Sequence, residues 1–436
     1  MSGRAGWARA VAAALLGTAL ISGPFRDHSP ATADQASPAT RHWVHTWTAM
    51  PQLTEPHNMP PAPFTDGDTV LRDATLRQTI HVSVGGDRLR LRFSNAFGGA
   101  PLPITKAVVA LPQDGRAGVS GIVPGSSKQL TFSGRPSTVI PAGAQYVTDP
   151  VKLDVAPQSN LTVSVHLAEG QASSSITSHP GSRTSSYLLA GDHAEETDLP
   201  GATRTDHWYF LSGAEILSSE TTAAVAMLGD SLTDGRGSTT NGNDRWPDRL
   251  LARLQDNPET QDVAVLNQAA GGNRVLADGL GPNALGRLDR DVLAHSGVRW
   301  LVVLHGINDI GTAEATPEAQ HAVVNELIAA YEQIMTRAHA DGIRVYGATL
   351  LPFGGSFYDD AGGHREAARQ RVNEWIRTSD GFDEVVDLER AVADPADPGR
   401  LRPEFDDGDH LHLNPAGYDA LGAAVPTSLF ERVSPR

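Results

Sequence analysis

The hydrophobic pattern of this chain changes period once, near Glu215, and that change limits what each part can fold into. Between Trp43 and Glu215 apolar residues alternate with polar ones in short runs separated by Pro and Gly clusters. Leu76, Gln78, Ile80, Val82 and Val84, then Gly85-Gly86-Asp87, then Leu89, Leu91 and Phe93 have the texture of a hairpin. Further strands are expected at 105–111, 129–132, 145–154 and 161–167, so residues 42–215 should form an antiparallel β-sandwich domain. Beyond Glu215, apolar strand-like runs at 223–228, 263–267, 300–304, 344–350 and 384–388 alternate with helical segments. The clearest helix runs from Pro317 to Ala340, with Val323, Val324, Leu327, Ile328, Tyr331, Ile334 and Met335 on one stripe and Gly342 placed to end it. Strands alternating with helices predict a parallel sheet covered on both faces, an α/β/α sandwich over residues 216–436.

The N-terminus carries Arg4 and Arg9, an apolar segment from Ala10 to Ile21, and Ala31-Thr32-Ala33. This is the layout of a secretory signal peptide, 1–33, and predicts an extracellular protein. The apolar segment is shorter than the roughly 20 residues of a spanning helix, so no membrane association is expected after cleavage. Residues 34–41 read as a polar linker. The formal net charge of -16 disfavours nucleic acid, which needs clustered Lys and Arg. The absence of cysteine excludes disulfides, thiolate nucleophiles and cysteine-ligated zinc.

Ligands of open α/β sheets bind beyond the carboxyl ends of the strands. Four features fall there: Gly229-Asp230-Ser231-Leu232 after the first run, Gly271-Gly272-Asn273 after the second, Gly306-Ile307-Asn308-Asp309 after the third, and Asp409-His410-Leu411-His412 near the end. Spacing removes the rivals of the serine stretch. A calcium loop wants an acidic or amide side chain where Leu232 stands and Glu where Asn241 stands. An α/β-hydrolase elbow wants glycine at Thr233, and the glycines at 279, 281 and 286 are misplaced for a dinucleotide fingerprint.

With these four blocks in this order, residues 220–430 resemble the SGNH/GDSL hydrolase family. The stretch Gly271 to Leu276 and the β domain ahead of it look like the subgroup that includes acetylxylan esterases. The resemblance implies a flavodoxin-like three-layer catalytic domain and assigns Ser231 as nucleophile, His412 as base and Asp409 as its orienting partner. It also implies an oxyanion hole from the backbone of Ser231 and Gly272 and the side chain of Asn308, with no metal or organic cofactor. The chemistry agrees: a serine needs a base, the base needs orienting, and glycine lets backbone approach substrate. The expected substrate is a carboxylic ester, an O-acetyl group on a polysaccharide such as xylan.

Other readings accompany these. His410 is the competing base, and Asp406, Asp407 and Asp409 with two histidines could hold a metal. Asp230 and Asp234 fit capping roles, Asp309 a supporting one, and Arg274 either a substrate contact or a surface pair. Trp43, Trp47, Trp208 and Tyr209 could stack on sugars, although packing is the commoner use of such side chains. A lipase or phospholipase-type acylhydrolase, an acyltransferase, and a non-catalytic carbohydrate-binding protein are the alternative functions.

Overall fold

A computed structural model describes residues 41–431, all within one compact unit. The expected signal peptide and residues 34–40 of the expected linker lie outside the described residues. Arg41 opens the first strand, Arg41–Thr48.

Two antiparallel sheets form the first half. One runs in the order Arg41–Thr48, Leu211–Ser219, Gly86–Ser94, with Gln145–Val147 and Val151–Val155 both paired to Gly86–Ser94. The other runs Thr203–Thr205, Ser186–Ala190, Ala74–His81, Asn160–Leu167, Lys106–Ala110, Lys128–Gln129. The expected hairpin is therefore not one. Ala74–His81 and Gly86–Ser94 lie in different sheets, and Leu76, Ile80, Leu89, Leu91 and Phe93 belong to one shared core. Alternation reports which face is buried, not which strand is the neighbour. Gly85 serves the crossing between sheets, since a Cβ there would meet the Val155 carbonyl at 2.3 Å.

The aromatic residues follow the packing reading. Trp47, Trp208 and Tyr209 are buried, and Trp43 lies under the Arg90 guanidinium, 4.4 Å from the ring centroid. A small third sheet, Trp208–Tyr209, Thr177–His179 and Gln52–Leu53, carries residues toward the second half.

That half is built on a five-stranded parallel sheet in the order Val263–Asn267, Ala223–Gly229, Val298–Leu304, Arg344–Ala348, Glu384–Val386. In chain order this is 2-1-3-4-5, and the strand order reverses at the first strand. Ala223–Gly229 is buried at every position, as a central parallel strand must be. The last expected strand is shorter than its apolar run, because Asp387 caps a helix that begins at Leu388. Pro317–Ala340 is helical as predicted; Val324, Leu327, Tyr331, Ile334 and Met335 form its buried stripe, with Val323 and Ile328 partly exposed beside it. Gly342 follows at φ +72°, the conformation glycine adopts most cheaply at a helix end. No described helix is long and apolar enough to cross a membrane.

The two halves share a core. Ala224, Ala264 and Leu266 of the parallel sheet pack into the sandwich's apolar cluster. Ser83 satisfies the outer strand of the sheet twice, donating to the Val265 carbonyl at 2.9 Å and accepting from the Val265 amide at 3.1 Å. Gly297, at φ +84°, lies against Val44 of the first strand, and a Cβ there would sit 2.6 Å from Cγ1. Gly297→Ala should therefore lower the urea midpoint, by about 1–3 kcal/mol of stability, without changing the slope of the transition. An unaltered midpoint would show that this joint tolerates a side chain.

Candidate active site

Ser231 begins the short helix Ser231–Asp234, immediately beyond the strand Ala223–Gly229. The Asp230 carboxylate accepts from the Leu232 amide and caps that helix, as the sequence suggested, and Gly235 ends it at φ +94°. Gly229 is confined by Thr233 and by the Leu304 carbonyl, each within 3 Å of where a Cβ would lie. The nucleophile turn is thus wedged between its own helix and the neighbouring strand.

Ser231 and His412 are both buried, and Ser231 Oγ lies 2.8 Å from His412 Nε2. On the other side of the ring, Nδ1 lies 2.7 Å from Asp409 Oδ2. Burial pushes the Asp409 carboxyl up, but the His412 amide, the His412 ring and the Leu411 amide outweigh it and hold the group at about 2. An ionised Asp409 requires a proton on Nδ1, so Nε2 is the acceptor and Ser231 donates to it. Burial holds the His412 imidazole below its ordinary value, against the pull of Asp409 and with help from Arg236 and Arg183.

His410 does something else. It sits at φ +62°, and its Nδ1 faces Asp406 Oδ2 at 2.5 Å. The two histidines of the metal alternative are thus divided between different carboxylates. No group of three or more His, Asp or Glu suited to a metal occurs among the described residues.

The remaining predicted residues face the same cavity, of about 650 Å³, which Ser231, His412, Gly272 and Asn308 all line. Gly272 has φ +70°, and Leu280 occupies the space a Cβ would need. Gly306 stands at φ +127° against the Tyr331 hydroxyl, which lets the chain turn from Val298–Leu304 into the helix bearing Asn308. The Asn308 side chain is fixed from both ends: Nδ2 donates to the Asn273 carbonyl at 2.8 Å, and Oδ1 accepts from the Tyr358 hydroxyl at 2.8 Å. That leaves one N–H of Asn308 without a protein acceptor.

Supporting residues tie these elements together. Asp309 accepts from the Val275 and Leu276 amides, both at 2.9 Å, and so anchors the loop that follows Gly272. Fully buried Arg287 donates to Asn273 Oδ1 and the Gln268 carbonyl. Burial pushes the Asp230 carboxyl up to about 7, reinforced by the charges of Asp309 and Asp234. Asp234, expected to cap, caps no helix: it is the last residue of the Ser231–Asp234 helix, Oδ1 faces His179 Nε2 at 2.9 Å, and Oδ2 accepts from the Gly271 amide at 3.1 Å. Arg274 donates to the Asp278 carbonyl and does not line the cavity. Sequence reasoning missed His179, Arg287 and Tyr358, because nothing in their local sequence separates them from packing residues.

The first half also walls the cavity, through Gln52, Glu55, His57, Asn58, Arg183 and His207.

Residues 227–420 match the model of the GDSL-like lipase/acylhydrolase family. The chain carries a GDSL-like lipase/acylhydrolase domain. No curated protein matches it. Among solved structures, this acylhydrolase is similar to an acetyl xylan esterase from Geobacillus stearothermophilus (21% identity over 49% of this chain and 97% of that one, TM-score 0.37). It is similar also to a carbohydrate acetylesterase from Sinorhizobium meliloti (18%, 47% and 96%, TM-score 0.34) and to a GDSL-like lipase from Bacteroides thetaiotaomicron (18%, 46% and 84%, TM-score 0.33).

The geometry fixes how His412 should titrate. In an NMR pH titration its midpoint should lie below the ordinary imidazole value of about 6.5. Asp409→Asn should lower it further, since that carboxylate favours the charged ring. A midpoint that rose in the variant would contradict the pairing.

Proposed function

We propose that this acylhydrolase is a secreted serine esterase that cleaves carboxylic esters through an acyl-enzyme, and that its substrate is an O-acetyl group on a polysaccharide such as xylan. The observation that carries the reaction is the series of hydrogen bonds from Ser231 to His412 to Asp409, opening on a cavity that Gly272 and Asn308 share.

Ser231 Oγ attacks the carbonyl carbon as its proton passes to His412 Nε2. The Asp409 carboxylate stabilises the imidazolium that results. The oxyanion of the tetrahedral intermediate receives the backbone N–H groups of Ser231 and Gly272 and the uncommitted N–H of Asn308. Each such donor is worth roughly 2.7–4 kcal/mol of transition-state stabilisation. His412 then protonates the leaving alkoxide, the C–O bond breaks, and the alcohol departs. Water repeats the attack on the acyl-serine, with His412 again as base, and releases the acid.

Two features support a polar alcohol and a short acyl group. The wall from the first half is polar, and the cavity is bounded on the oxyanion side by Leu280 against Gly272 and by Tyr358 against Asn308. Secretion rests on the pattern of residues 1–33. A lipase-like reading draws on Leu280 and Phe357, which line the cavity and are 47% and 68% exposed.

Ser231→Ala and His412→Ala should each reduce kcat on an aryl acetate by on the order of 10⁴-fold or more with the fold retained. His410→Ala should change it far less, and a chelator should leave it intact. Equal losses at His410 and His412 would mean that the wrong base has been assigned. Across aryl esters of rising acyl length, kcat/KM should be highest for acetate. A steady rise past about eight carbons, near ~0.8 kcal/mol per buried methylene, would favour the lipase reading instead.

A further inference from the structure

Arg183 comes from the first half of the chain and lines the catalytic cavity. Its backbone is held at φ +50°, a conformation a non-glycine residue keeps only where its surroundings impose it. The surroundings do. Ser182 Oγ donates to the Thr184 and Asp206 carbonyls at 2.8 and 2.7 Å, Arg245 donates to the Ser182 carbonyl, and the Asn241 amide donates to the Arg183 carbonyl at 2.8 Å.

The side chain so presented is unmatched. Among the described residues Arg183 makes no side-chain hydrogen bond or ion pair, and its Nε is buried without a partner. Arg183 is half-buried, whereas the fully buried arginines are engaged: Arg77 with carbonyls, Arg287 with Asp291, Arg369 with Glu366 and Glu389. The acids of the cavity wall make their hydrogen bonds to other groups. Glu55 accepts from Gln52 and Asn58, and Asp234 from His179 and Gly271. A buried N–H without an acceptor is costly, and the rest of this half-buried guanidinium opens on the cavity where an arriving group can meet it.

Its position says which part of the substrate that would be. The proton must travel from His412 Nε2 to the leaving oxygen, so the alcohol lies on the His412 side. Arg183 and Arg236 are the cations whose charge His412 feels, whereas Leu280 and Phe357 flank Gly272 and Asn308. Arg236 is exposed and lies 3.9 Å from Asp409, which leaves Arg183 as the cation of the pair with no carboxylate in contact among the described residues.

We infer that Arg183 is a specificity-determining residue that binds an anionic group on the alcohol portion of the ester, beside the leaving oxygen. The group is a carboxylate, as on a uronic acid residue, or a phosphate. A planar guanidinium matches both, and its uncommitted donors suit bidentate recognition. This rests on the assignment of His412 as the group that protonates the leaving alkoxide.

The test uses three matched acetates: an acetylated methyl glucoside, the corresponding methyl glucuronoside, and the corresponding glucoside 6-phosphate. The full chain and its Arg183→Gln and Arg183→Lys variants are compared. The native chain should prefer at least one anionic acetate over the neutral one. Arg183→Gln should reduce that preference roughly tenfold or more, through KM, as expected for one charge-assisted hydrogen bond, and Arg183→Lys should restore part of it. Preference for the uronate over the phosphate assigns an acidic polysaccharide; the reverse assigns a phosphorylated alcohol. The same ratio in native and Arg183→Gln proteins would overturn the inference. No hydrolysis of any acetate by the native chain would instead overturn the esterase assignment. Should Arg183→Gln fail to fold, salt gives the second measurement on the native chain. KM for the anionic acetate should rise with ionic strength while KM for the neutral one holds, and parallel behaviour would count against Arg183.

Discussion

The buried carboxylate of Asp234 is the point through which the site is assembled. It belongs to the turn that carries Ser231, it accepts from the Gly271 amide next to Gly272, and it faces His179 from the first half of the chain. The other ring nitrogen of His179 lies 3.0 Å from the Met50 carbonyl. With an oxygen facing each nitrogen, the ring is held between the Met50 carbonyl and Asp234. Burial alone would push the Asp234 carboxyl up; the charge and hydrogen bond of His179 hold it down. Three chain segments far apart in sequence are fixed relative to one another by one buried carboxylate that water hardly reaches.

That arrangement ties the β-rich half to the site. It supplies the partner of Asp234, one wall of the cavity and part of the packing around Ala224, Ala264 and Leu266. The catalytic half supplies Ser231, Gly272, Asn308, Asp409 and His412 at the carboxyl ends of the strands where the sheet order reverses. Both halves of this single compact unit thus line the cavity.

The parts of this that were legible in the sequence are those with local signatures. A run such as Ala223 to Leu228, apolar at every position, can be little else than a central strand, and glycines at 272 and 306 mark backbone conformations that other residues avoid. The separation of three positions from Asp409 to His412 sufficed to pair them, and the αL turn at His410 accounts for its departure to Asp406. Strand partners were not legible. The alternation around Gly85-Gly86 reports a buried face equally well for a hairpin and for two strands facing each other across a sandwich. Nor could the sequence show His179, Tyr358 or Arg183 in the site. Each acts through a contact with a residue at least fifty positions away or, for Arg183, through the lack of one.

The double hydrogen bond from Ser83 to Val265 has a consequence for the sheet as a whole. Val263–Asn267 is an outer strand, and an outer strand of a parallel sheet offers a row of free amides and carbonyls to any extended chain that drifts against it. Here a hydroxyl from the other half occupies the middle of that row, and Thr48 reaches the Asn267 carbonyl at its end. The β-rich half therefore acts as a guard against self-association as well as a wall for substrate. A catalytic half excised at its own boundary would carry a complete set of reactive residues and an unprotected edge. In this architecture the piece of chain that covers the edge of the sheet also walls the cavity.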